Sequence, residues 1–154
     1  MTRPLVLVAG LGDTGVLTAM RAARFADVAA ITTKPGLVSG QELGLRLARP
    51  EAWQRDYRIG HHRFRGLDGV RIVHGGAIDL DVARRRVQVE LADGSLVEEP
   101  YDALVIATGV RNGFWRQPTL QDDARIEADV AAAHHRVEAA GSVAVVGGGA
   151  AALG

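Results

Sequence analysis

Two glycine clusters hold most of the chemistry this sequence can offer. Gly10-Leu11-Gly12-Asp13-Thr14-Gly15 follows an apolar run, Pro4 to Ala9, and precedes Val16, Leu17, Met20 and Ala23, which recur at helical spacing. At a strand-to-helix turn each glycine has a task. Gly10 permits the tight turn, Gly12 lets backbone amides reach a pyrophosphate, and Gly15 lets the helix pack close to the sheet. The positive end of the helix dipole then faces the phosphates. The competing reading is a tight turn in a glycine-rich chain. Asp13 would repel a pyrophosphate through its side chain, so only the Asp13 amide is expected to serve a ligand, as for Thr14, while the carboxylate meets solvent or caps the helix. The second cluster, Gly147-x-Gly149-x-x-Ala152, again follows an apolar segment. Together the clusters predict two dinucleotide sites.

Other residues qualify this picture. A dinucleotide site of this type places an acid at the end of the second strand, roughly 20 residues on, to hold a ribose. Thr32 and Thr33 stand there instead. A hydroxyl can bond a ribose hydroxyl, but it lacks the two charge-assisted bonds a carboxylate accepts. Lys34 next door is either a contact to an adenosine phosphate or ribose or a solvated strand-end lysine. His61-His62 and His134-His135 have no cysteine or carboxylate cluster beside them, and adjacent side chains diverge on helix or strand, so they are expected on the surface. Trp53, Tyr57, Phe64, Phe114 and Trp115 are expected in the core, with packing on a planar ring as the alternative.

The elements that must position these residues follow from the apolar pattern. Pro4 to Ala9 and Asp27 to Thr33 have the continuous apolar character of parallel strands buried on both faces, with a helix between them. Val70 to Val73 is a third strand. Ala77 to Asp81, Arg85 to Leu91 and Ser95 to Glu99 predict an inserted three-stranded antiparallel meander, the last two joined across Asp93-Gly94. Tyr101 to Gly109 reads as a buried strand, Asp122 to Ala140 as a helix and Ser142 to Val146 as a final strand. The fold class is therefore α/β, a Rossmann-like parallel sheet with a β-meander.

Composition narrows the function. Eighteen basic against eighteen acidic residues give a formal net charge of zero, and no basic field exists for nucleic acid or anionic lipid. There are no cysteines, so thiolate metal sites, cysteine nucleophiles and redox-active cysteine pairs are excluded, and redox work requires a bound cofactor. No apolar run reaches the ~18 residues of a transmembrane segment. A soluble, cytoplasmic chain is expected.

The segments VLVAGLGDTG, the meander, YDALVIATG and VAVVGGGAAALG, in this order, resemble the N-terminal part of two-dinucleotide-domain flavoproteins. These form the pyridine nucleotide-disulfide oxidoreductase superfamily, which includes type II NADH dehydrogenases, ferredoxin reductases and apoptosis-inducing-factor-like proteins. The resemblance implies that Gly10, Gly12 and Gly15 form the FAD pyrophosphate turn, and that Thr33 occupies the ribose acid's position, a departure that lowers the expected affinity. It places the Ala77 backbone against adenine, and Ala107, Thr108 and Gly109 at the turn closing over the flavin nucleotide. Gly147, Gly149 and Ala152 would open the NAD(P)H domain, and Ser39-Gly40-Gln41 would pass near the flavin ring. It divides the chain into part of an FAD domain, 1–118, and the beginning of an NAD(P)H domain, 119–154.

Without a cysteine pair the chain resembles the dehydrogenase branches more than the disulfide reductases. The implied activity passes hydride from NADH or NADPH to FAD and electrons on to a small-molecule or protein acceptor, with a homodimer as the candidate assembly. The chain alone is expected to be truncated, a poor catalyst and marginally stable. A non-catalytic dinucleotide-binding module is the alternative from another class, favoured by the missing acid at Thr33.

Overall fold

The computed structural model describes residues 2–38, 43–109 and 119–147. In chain order its elements are β1 (Leu5–Ala9), α1 (Asp13–Ala22), β2 (Asp27–Thr32), β3 (Gly36–Val38), α2 (Leu43–Ala48), α3 (Pro50–Tyr57), β4 (Arg58–Gly60), β5 (Val70–Asp81), β6 (Arg86–Leu91), β7 (Leu96–Pro100), β8 (Ala103–Ile106) and α4 (Asp123–Glu138). Two short 3-10 turns, His61–Arg63 and Arg65–Leu67, link β4 to β5.

Six strands form one sheet in the order β7-β6-β5-β2-β1-β8, and β3 and β4 form a separate antiparallel pair. The predicted α/β class with a Rossmann-like core holds. β1 lies between β2 and β8, with Leu7 opposite Ala29 on one side and Leu104 on the other. Its alternate side chains feed two cores. Val6 and Val8 join Val28, Ala30 and Val70 under Val16, Ala19 and Ala22 of α1. Leu7, Ala29 and Ile31 face the other way and meet Val87 and Val89 of β6. The curled meander thus covers the sheet face opposite α1, which explains why β1 and β2 are apolar throughout rather than alternating.

Here the structure corrects the strand count. Val70 to Val73 and Ala77 to Asp81 are halves of a single strand, β5, 12 residues long. Val70 to His74 run parallel to β2, while Gly75 to Asp81 run antiparallel to β6. Gly75-Gly76, which interrupts the apolar pattern, is where the strand changes partner. A Cβ on Gly75 would lie 2.6 Å from Val89 Cγ1 and 2.8 Å from the Glu90 carbonyl, so the close crossing depends on its absence.

Two further expectations change. β8 is the edge of the sheet, with Ile106 67% exposed, rather than a strand buried on both faces. Ser142 to Val146 is not a strand, and Val143, Val145 and Val146 are exposed. Among the described residues that segment pairs with no strand.

α4 forms within the helix expected over 122–140. Asp122 caps it by accepting from the Arg125 amide at 2.8 Å, and Asp123 lies in its first turn. Its buried stripe is Ile126, Val130 and Ala133, with Val137 exposed. Ile126 and Val130 pack on Trp53 of α3, with Val38 beside them, so Trp53 is a core residue. Phe64 packs on the α1 core, Tyr57 is exposed, and Phe114 and Trp115 lie outside the described residues.

Candidate dinucleotide site

The glycine turn lies where β1, β2 and β8 all end. Gly10 has φ +98, a left-handed conformation costly to any residue with a side chain. Its amide donates to the Ile31 carbonyl at 2.9 Å, tying the turn to β2. A Cβ there would lie 2.6 Å from the Ala107 carbonyl carbon and 2.8 Å from Thr108 Cα. A Cβ on Gly15 would strike the Gly10 carbonyl. Both glycines are therefore required by the chain's own packing. Gly12 differs: it is the exposed N-cap of α1, in extended conformation, and a Cβ there would meet nothing within 4 Å.

That contrast is what a diphosphate cradle needs. The first amides of α1 have no partner within the helix, no side chain caps them, and the space before Gly12 is open. Asp13 and Thr14 are exposed at the mouth. Across the turn Ala107 donates to the Ala9 carbonyl at 2.7 Å, which sets Thr108 and Gly109 (φ +73) beside Gly10. The residues present fit a dinucleotide phosphate group.

At the end of β2 the structure adds residues the sequence did not single out. The Gln121 amide donates to the Thr33 carbonyl at 2.9 Å. The Gln121 side chain accepts from Lys34 Nζ and donates to Asp129 Oδ2 at 2.5 Å, and the Gln121 backbone carbonyl accepts from His74 Nε2 at 3.1 Å. Lys34 also donates to the Thr119 carbonyl at 2.6 Å. Lys34 is thus half-buried and engaged by its own chain, and not a solvated strand-end lysine. The Thr32 hydroxyl is spent on the turn, accepting from the Lys34 amide at 3.2 Å. Ala77 lies further along β5, exposed and opposite Val89. Gly147 is exposed with φ +115, whereas Gly149, Ala152 and Ser39-Gly40-Gln41 lie outside the described residues.

The histidine expectation is corrected in part. His61 is buried, and its Nε2 donates to the Leu11 carbonyl at 3.2 Å; His134 is half-buried against the Leu47 carbonyl. His62 and His135 are exposed. Among the described residues no three histidines, aspartates or glutamates converge for a metal. No local signal marks His61 or Gln121, because the Leu11 carbonyl is 50 positions from His61, and Lys34 and Thr33 are 87 and 88 positions from Gln121.

Burial also alters titration. It lowers the Lys34 ammonium to about 8 from 10.5, opposed by the charge of Asp129. Between pH 8 and 10.5 the unfolded chain holds more of this proton, so stability should rise over that window and the gain should be lost as pH falls through 8. Lys34→Met should flatten that rise relative to the parent in urea midpoints measured across the window. Parallel curves for parent and variant would show that Lys34 is not desolvated.

An open cleft of about 620 Å³ between α3 and α4, lined in part by Arg49, Trp53, Glu127 and His134, contains no residue of the glycine turn. The candidate site rests on directed backbone amides rather than on cavity size.

Fold and turn together define an FAD/NAD-type dinucleotide-binding domain. Over residues 4–154 the chain matches the family described as pyridine nucleotide-disulphide oxidoreductase, and it belongs to that family. No curated protein sequence matches it. Among solved structures, NDH2 from Plasmodium falciparum in complex with RYL-552 is similar at TM-score 0.68 and 15% identity, over 86% of this chain and 28% of that one. A NAD-dependent persulfide reductase from A. fulgidus is similar at TM-score 0.57 and 25% identity, over 71% and 22%. The sulfide:quinone oxidoreductase from Aquifex aeolicus gives 0.63 and 16%, over 88% and 32%. The chain therefore spans less than a third of these relatives. The family is FAD-dependent, and solved neighbours are complexed with NADH or NADPH. No helix among the described residues is long and apolar enough to cross a membrane.

Proposed function

We propose that this chain binds the diphosphate of FAD at the Gly10–Gly15 turn, within an FAD-dependent NAD(P)H oxidoreductase. The observation that carries the reading is the difference between Gly12, open to solvent, and Gly10 and Gly15, closed by backbone. The chain's own residues would supply amides from the start of α1, a wall at Thr108-Gly109 and a β2 end stiffened by Lys34 and Gln121. Bound FAD would supply the capacity to accept hydride. Thr33 brings no carboxylate to the ribose, so affinity would rest more on the diphosphate than where an acid is present.

In this reading a boundary falls near 118 and 119, and Gly147, Gly149 and Ala152 belong to an NADH or NADPH site. The acceptor is a small molecule or a protein, the assembly a homodimer, and cytoplasmic residence the accompanying expectation. The departure at Thr33 favours a second reading, a dinucleotide-binding module without catalysis.

Calorimetry with FAD, followed by absorbance of the desalted protein and addition of NADH, separates them. Retained yellow colour with heat on FAD addition supports the flavoprotein. Colourless protein that still binds NADH supports the module, and no heat with FAD, NADH or ADP defeats both.

A further inference from the structure

We infer that His61 is a positioning residue for the diphosphate turn: by holding the Leu11 carbonyl it aims the Gly12 amide at the bound diphosphate. The inference rests on the FAD reading above and concerns a residue outside the glycine motif.

The geometry is that of a single peptide unit. His61 Nε2 donates to the Leu11 carbonyl at 3.2 Å from a buried ring. In a trans peptide the carbonyl of one residue and the amide of the next point in opposite directions. Fixing the Leu11 carbonyl toward His61 therefore turns the Gly12 N–H away from that buried ring, and Gly12 itself is exposed, with nothing within 4 Å of where a Cβ would stand. Without that hold the 11–12 peptide could rotate, and the amide would lose its aim at the moment a ligand needs it.

The fold delivers His61 to this place through β3 and β4. Gly36 pairs with Gly60, which returns the excursion through α2 and α3 to the sheet's C-terminal edge, and the first 3-10 turn then seats His61 under Leu11. Burial lowers the pKa of His61, helped by the charges of His74 and His62 and opposed by the Leu11 hydrogen bond. A neutral ring is thereby favoured, and a neutral ring still keeps one N–H for the carbonyl.

The test compares His61→Leu, which removes the donor, with His61→Gln, which restores an N–H. FAD and ADP affinities are measured by calorimetry, and the Gly12 amide is followed by nitrogen–proton NMR. We expect His61→Leu to bind both ligands about tenfold more weakly, as for one misdirected charge-assisted bond. His61→Gln should stay near the parent in affinity and in the position of the Gly12 cross-peak, while the Leu variant's cross-peak moves. Should the Leu variant not fold, His61→Met, which keeps bulk but lacks the donor, takes its place: about tenfold weaker binding with a moved Gly12 cross-peak supports the inference, and parent-like affinity with an unmoved cross-peak overturns it. Parent binding with an unaffected Leu variant overturns the inference alone. A parent protein that binds neither FAD nor ADP defeats the functional reading and the inference with it.

Discussion

Gly12→Val should abolish measurable FAD binding while leaving a folded protein. The valine side chain would occupy space that is empty out to 4 Å and that the diphosphate needs. Two charge-assisted amide bonds lost at about 1.5 kcal/mol each amount to an affinity loss of about 100-fold or more. The fold should lose only about 1 kcal/mol, the cost of a poor N-cap residue. Gly10→Val should do the reverse, because its φ of +98 and the nearby Ala107 and Thr108 backbone leave no room for a side chain. Left-handed strain of about 1–3 kcal/mol adds to overpacking of similar size, a large part of a small domain's stability. Urea unfolding beside FAD calorimetry reads both quantities. Parent-like FAD affinity in Gly12→Val would mean that the diphosphate lies elsewhere.

Trp53→Ala should be the most damaging core truncation on the helical side of the molecule. Trp53 is 1% exposed, packs on Ile126, Val130 and Val38, and has the buried Arg46 guanidinium 4.5 Å from its ring centroid. Truncating a buried tryptophan costs about 3–5 kcal/mol, and the cation–π contact is lost with it. Against a typical total of about 5–15 kcal/mol, that loss should loosen α3 and α4 from each other. Trp53→Phe should keep most of the stability, because the ring and its cation contact survive. A loss below about 1 kcal/mol in Trp53→Ala would show that these helices are held by something other than this cluster.

Local backbone demands were legible because they act over a few residues. The glycine spacing at 10, 12 and 15 announced a strand-to-helix turn, and the asymmetry between closed and open glycines follows from the tight path it requires. The apolar runs at β1 and β2 announced burial on both faces, and the pattern from Asp122 to Ala140 announced α4. The His61 and His134 environments were not legible, since a histidine's burial depends on what distant segments pack around it.

The amino-acid sequence alone determined the class of fold, the place of the glycine turn between β1 and α1 and the demand for a bound cofactor in any redox chemistry. Tertiary structure alone decided that Gly75-Gly76 passes one strand between two partners, that β8 is an edge, that Gln121 bonds Lys34 and that His61 meets the Leu11 carbonyl. The physical reason is range. Turn geometry and burial tendency belong to a residue and its neighbours, whereas partner choice is set by packing and chain closure summed over segments as far as 98 positions apart, as for Ala9 and Ala107.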